Sequence, residues 1–231
     1  MRLLLINPNT SDHSTARLAA SARAALDEHD VLTAVNAATG PAAVRTAAHL
    51  RVAENNALAL AAEHAGSHDA IVLAISLDGA APRLRRKLPG TPVIGMTEGA
   101  LFTACLQAER VGLLTLGEAL LPLYRRRIEE IGMASRMAGY EAAESESAFG
   151  DSEIQELPLL DLLAAPCRRL RDAGAESIVL AGAVLCGYAR PLESLCAIPV
   201  LDGVECAVRQ ARAVLGSRRA QVLLDARPGA M

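Results

Sequence analysis

Short, wholly apolar runs alternate with polar turns and Ala-rich stretches along most of the chain. Residues 3–6, Leu-Leu-Leu-Ile, read as a buried strand. They run straight into Asn7-Pro8-Asn9-Thr10-Ser11, a turn in which Thr10, Ser11 or Asp12 caps a helix over residues 13–25. Residues 31–35 predict a second strand, and Thr39-Gly40-Pro41 breaks the chain. An Ala-rich helix follows over residues 47–64. Further strands are expected at 69–75 and 91–95, with helices at 83–88 and 97–106. Residues 111–115 open a second series: helices at 120–131 and 159–173, strands at 177–181 and 198–201, and a helix after Val204 that returns towards the first half. Residues 142–153 read as an acidic, Ser-rich surface loop, and from Ser217 the tail is expected to fray.

The two series are one pattern said twice. Residues 71–100 recur as residues 178–207, with Ile71 on Ile178, Pro92-Val93 on Pro199-Val200, Glu98 on Glu205 and Ala100 on Ala207, all at an offset of 107. The opening strand recurs in residues 110–115 at an offset of 108, which sets Thr115 opposite Asn7 and Gly117 opposite Asn9. The expected fold class is therefore α/β, with two pseudo-symmetric lobes. Each is an open parallel sheet of about four strands flanked by helices. The first lobe takes residues 1–100 plus 208–231, and the second takes residues 101–207.

Ligands of such sheets bind beyond the carboxyl ends of the strands. Here those ends are residues 7–11, 75–80, 95–98, 115–117, 182–188 and 202–204, and lobes facing each other would line one cleft with all six. A strand, polar turn and helix in succession offer free N–H groups to an anion. Asn7, Asn9, Thr10 and Ser11 add side-chain donors to that turn, although a plain capped turn explains them as well.

Composition narrows the partners. The 231 residues are 52% hydrophobic with no Trp, two Phe and three Tyr, so the core must be aliphatic, as suits helices on parallel strands. A net charge of −3 points to neither a nucleic-acid nor a membrane surface. The first apolar run is too short for a signal peptide and no stretch approaches a membrane span, so a cytoplasmic protein is expected. Five Cys (105, 167, 186, 196 and 206) show no metal spacing and read as reduced thiols. Neither a dinucleotide fingerprint nor a P-loop occurs, and no cofactor is expected. A small-molecule substrate and a homo-oligomer are the partners anticipated.

The Ile-Asn-Pro-Asn-Thr-Ser opening, Pro92-Val93-Ile94-Gly95-Met96-Thr97-Glu98, Thr115 and Pro199-Val200-Leu201-Asp202-Gly203-Val204 together resemble the aspartate/glutamate/hydantoin racemase superfamily, on the side of its hydantoin and allantoin racemases. The resemblance covers most of residues 1–210. It implies cofactor-independent proton transfer at a carbon next to a carbonyl, with one Cys from each lobe on opposite faces of the substrate. Inversion needs one group to take the proton and another to deliver one from the other side.

This chain departs from that pattern at both thiol positions. Three residues before Asp78 stands Ile75, and after the strand-ending Leu180-Ala181 stands Gly182; the repeat pairs the two independently. Neither carries a proton. Replacement candidates are Ser76, Asp78 and Cys186, weighed against a poorly activated hydroxyl, a helix-capping carboxylate and a buried packing thiol respectively. Tyr188 is a further donor or lid contact. Asn7, Asn9, Thr10, Ser11, Thr115, Gly117, Gly182 and Ala183 are the expected substrate contacts. His13 lies nearest the cleft of the five His and is expected to face solvent; Glu98 and Glu205 suit helix first turns. Three functions remain open: a racemase-like isomerase of a small carboxylate or hydantoin-like ring, a single-acid decarboxylase or cis–trans isomerase, and a binding protein that keeps the cleft without the chemistry.

Overall fold

A computed structural model describes residues 1–144 and 156–225. The first lobe is built on strands β1 (Arg2–Asn7), β2 (Val31–Asn36), β3 (Ala70–Leu73) and β4 (Val93–Gly95), in the order β2-β1-β3-β4 and all parallel. The second uses β5 (Val111–Leu116), β6 (Met137–Ala143), β7 (Ser177–Ala181) and β8 (Val200–Asp202), in the matching order β6-β5-β7-β8. Leu3 pairs with Ala70 and Val111 with Ser177, so strand register reproduces the offsets of 108 and 107. In each sheet the two inner strands are covered on both faces, which is why β1, β3, β5 and β7 read as unbroken apolar runs.

Helices α1 (Asp12–Arg23), α2 (Ala47–His64), α3 (Ala81–Lys87) and α4 (Met96–Cys105) belong to the first half of the chain. The second half holds α5 (Leu121–Glu130), α6 (Glu156–Asp172), α7 (Ala189–Cys196) and α8 (Gly203–Asp225). The last helix of each half crosses over. Ala100, Leu101 and Ala104 of α4 pack with Val111, Leu113 and Val179 of the second sheet. Val204, Ala207, Val208 and Ala211 of α8 pack with Leu3, Leu5 and Val72 of the first. Each lobe's core is thus completed by the other's terminal helix. Burying four such aliphatic side chains stabilises by several kcal/mol, on the order of 1.5–3 kcal/mol for each large one.

Three expectations change. Strand β6 has no counterpart in the sequence reading, because at the sheet edge six of its seven residues are only half-buried. The terminal helix does not end near Ser217 but runs to Asp225, and residues 226–231 of the expected tail lie outside the described residues. The acidic loop likewise falls largely outside them, at residues 145–155. Cys167 and Cys196, expected as reduced packing thiols, are joined in a disulfide between α6 and α7. No helix among the described residues is long and apolar enough to cross a membrane.

Candidate active site

The cleft forms where the ends of β1, β3, β5 and β7 meet. It is lined by Asn7, Pro8, Asn9 and Ser11 after β1, Ala74 and Ile75 after β3, Thr115 and Leu116 of β5, and Gly182, Ala183 and Val184 after β7. The segment 42–44 and the α1 residues His13, Ser14 and Arg17 complete the wall. Four of the six expected loops are present. Those at residues 95–98 and 202–204 are not, because they open the crossing helices α4 and α8.

Asn7 builds the β1 turn from inside. Fully buried, its Nδ2 donates to Asn9 Oδ1 at 2.9 Å and to Thr15 Oγ1 at 2.8 Å. Asn9 Oδ1 also accepts from the Ser11 N–H at 2.9 Å, and no described residue accepts from Asn9 Nδ2. Ser11 is the N-cap, its Oγ accepting from Ser14 N–H at 3.1 Å, an arrangement typically worth about 1 kcal/mol. The cap takes up the Ser14 N–H, and Ser11, His13 and Ser14 line the cleft at the positive end of the helix. Thr115 Oγ1 donates to Ala181 O at 2.7 Å, tying β5 to β7 and committing its proton. Thr10 and Gly117 do not line the cleft: their N–H groups donate to Pro41 O and Ala143 O, holding neighbouring loops instead.

At the two strand ends the paired positions face the same cavity and carry no acid or base. Ile75 is extended (φ −128°) and Gly182 sits at φ +135°, a conformation that an L side chain rarely adopts. Each precedes a short 3-10 turn, Ser76–Asp78 in one lobe and Ala183–Leu185 in the other. The first N–H groups of such a turn lack partners within it.

Two of the replacement candidates, Asp78 and Cys186, are placed away from this point. Asp78, buried and outside the cleft lining, accepts from Thr97 N–H at 3.3 Å and Glu98 N–H at 2.6 Å, capping α4. Burial pushes its carboxyl up to about 7 against the pull of those two bonds. Cys186 is buried among α1 and α8 residues, and its thiol is held well above its ordinary range, by burial first and the Asp202 carboxylate second. That environment opposes a thiolate. The side chain of Ser76 lies outside the described part of the structure. Glu98 and Glu205 occupy first turns of α4 and α8 and pair with Arg85 and Arg209, at 2.8 and 2.9 Å.

Two lining residues escape the sequence reading or are weighed low by it. His13 is exposed, as expected, and yet lines the cleft. Arg17, one turn further along α1, lines it too; its Nη1 donates to Cys186 O at 3.4 Å and its guanidinium stacks 5.3 Å above the Tyr188 ring. Among the described residues these are the two ionisable side chains of the lining. The position of Arg17 four residues after His13, on the same face of α1, was the available signal. Its partner across 169 residues was not visible locally.

Residues 3–211 match the model of the Asp/Glu/Hydantoin racemase family. The chain belongs to that family. A hydantoin racemase of Paenarthrobacter aurescens is 29% identical, the alignment covering 93% of this chain and 91% of that protein. Allantoin racemase from Klebsiella pneumoniae superposes with a TM-score of 0.87 at 25% identity, over 94% of this chain and 89% of that one. A maleate isomerase of Pseudomonas putida, at 18% identity and a TM-score of 0.67 over 94% and 93% of the two chains, shares the fold. Within the Asp/Glu/hydantoin racemase family, this member therefore keeps the two-lobed cleft and presents Ile75 and Gly182 where its two strand ends converge.

Proposed function

We propose that this racemase-family member binds a small carboxylate or hydantoin-like ring in the inter-lobe cleft and catalyses cofactor-independent proton transfer on one face of it, with His13 as the acid and base. One observation carries the reading: among the described residues His13 and Arg17, both on α1, are the ionisable side chains lining the cleft, and Ile75 and Gly182 at the strand ends carry none. The α1 N-terminus and Asn9 Nδ2 hold its carboxylate or ring carbonyl in this reading. Arg17 stabilises the enolate-like charge that develops when the adjacent C–H bond breaks. His13 takes that proton and returns one from the same side. Two-sided inversion is not part of this reading. Isomerisation or proton exchange with retention, or replacement of a departing carboxylate by a proton, is.

The test is incubation in D₂O with hydantoins, allantoin, aspartate, glutamate and substituted malonates, following the α-proton by NMR. Wild type exchanges or loses CO₂ with one handedness, and His13→Ala loses turnover while its melting temperature still rises with ligand. Racemisation undiminished in His13→Ala overturns the proposal. The apolar pair Ile75 and Gly182 favours one other reading, a binding protein on an enzyme's scaffold. That reading takes over if every compound is silent by NMR and one still stabilises the fold.

A further inference from the structure

A second concavity, of about 600 Å³, lies between α1 and α7. That is the size of an ordinary small-molecule site, on the order of 300–1,000 Å³. It shares His13 and Arg17 with the cleft, whereas Ala20, Tyr188 and Arg190 line the groove alone.

Two features of this groove point to an organic anion. The first is positive charge that the protein itself does not answer. Arg17 commits one of the five N–H donors of its guanidinium to the Cys186 carbonyl, at 3.4 Å, and rests 5.3 Å above the Tyr188 ring. Neither Arg17 nor Arg190 forms an ion pair among the described residues. The carboxylate in the lining, Glu205, is held by Arg209 at 2.9 Å. A guanidinium fixed as Arg17 is loses little freedom on meeting a phosphate, and its fork matches one. Tyr188 is only 4% exposed, and its hydroxyl has no hydrogen-bond partner among the described residues. A ligand acceptor would remove the cost of that unpaired group.

The second feature is apolar. Ala16, Ala20 and Ala24 repeat every four residues along one face of α1, and Leu160 and Pro191 add to the same lining. An inorganic ion gains nothing from such a surface, whereas a hydrocarbon body removes it from water.

From this arrangement we infer that the α1–α7 groove is a second binding site, taking a phosphate monoester with an apolar body, and that its occupant inhibits the cleft by claiming Arg17. Binding stands on the groove alone. Inhibition rests on the cleft reading, in which Arg17 stabilises the charge of the reacting molecule.

Calorimetric titration with 1-naphthyl phosphate, neutral 1-naphthol and inorganic phosphate tests the site. Wild type binds the ester at least about tenfold tighter than either other compound, the scale of one charge-assisted contact. Arg190→Ala removes a guanidinium and Ala20→Trp fills the groove, both at exposed positions outside the cleft lining. Each weakens the ester about tenfold or more and leaves the affinity for allantoin unchanged. Inorganic phosphate or 1-naphthol binding as tightly as the ester, or wild-type ester affinity in both variants, overturns the site. Saturating ester lowers the affinity for allantoin by about fivefold or more in wild type and not in Ala20→Trp. Allantoin binding that the ester leaves untouched overturns the inhibition. If allantoin and the other cleft compounds fail to bind while the ester binds as described, the cleft reading falls and the groove assignment stands.

Discussion

Asp78 and Asp202 do the same task from different places in the repeat. Asp202 ends β8 and caps the helix that follows it, accepting from Val204 N–H at 2.9 Å and Glu205 N–H at 3.1 Å. Its counterpart at an offset of 107 is Gly95, which has no side chain to cap α4 with. Asp78 reaches in from the loop after β3 and accepts from Thr97 and Glu98 N–H groups instead. A Cβ on Gly95 would stand 2.2 Å from Asp78 Cγ. One carboxylate per lobe closes the β4–α4 or β8–α8 junction, so two of the six expected loops are spent on structure.

That relationship predicts a rescue. Gly95→Asp clashes with Asp78, and Asp78→Gly leaves two buried N–H groups unpaired; each is expected to cost about 2–4 kcal/mol in urea unfolding. The double variant Asp78→Gly/Gly95→Asp rebuilds the second lobe's arrangement in the first. It should recover about 2 kcal/mol or more over the sum of the singles. Strict additivity would mean that the two positions do not share the cap.

Asp78 also predicts a pH dependence. Its folded value, pushed up to about 7 mainly by burial, lies above the ordinary 3.8. Between these values the folded protein holds a proton that the unfolded chain has released. Its contribution to stability is therefore full below pH 4 and is lost as pH rises through 7. Asp78→Asn should remove this part of the slope between pH 5 and 8. Parallel stability curves for the two proteins over that range would count against a raised Asp78.

Asp202 accepts four hydrogen bonds, including Ser21 Oγ at 3.1 Å and Gly187 N–H at 2.7 Å. It therefore ties α1, the β7–α7 loop and α8 together. Asp202→Ala should destabilise by about 3 kcal/mol or more. Because Gly187 adjoins Cys186, whose carbonyl holds Arg17, ligand affinity should fall further than in Ser21→Ala. Calorimetry on both variants decides this.

Thiols can be introduced at the two strand ends. Ile75→Cys keeps an extended backbone (φ −128°) and should fold with a penalty of about 1–3 kcal/mol from lost packing. Gly182→Cys forces a side chain onto φ +135° and costs a comparable amount in backbone strain. If the strand ends are where the reacting carbon sits, the double variant gains racemisation in the D₂O assay that neither single variant has. No gain, with both variants folded, would move the reacting carbon away from Ile75 and Gly182.

Local and repeated signals made much of this molecule legible before any coordinates. Apolar runs covered on both faces marked β1, β3, β5 and β7, the Asn-Pro-Asn-Thr-Ser turn narrowed the cap to Thr10, Ser11 or Asp12, of which the structure uses Ser11, and the constant offset paired Ile75 with Gly182. Edge strand β6 escaped because a half-buried strand has no continuous apolar run to announce it.

The remaining facts join residues far apart in the chain. Asp78 capping α4, Arg17 resting on Tyr188, Cys167 bonded to Cys196, and the exchange of α4 and α8 between the lobes are of this kind. Sequence periodicity registers what one element buries, since a side chain's face follows from the helical or strand repeat itself. Which distant element covers that face depends on how the two sheets and their helices settle together. For that reason the strand ends that meet in the cleft could be placed from the chain, while the cationic side of the cleft emerged only when α1 was laid against the loop before α7.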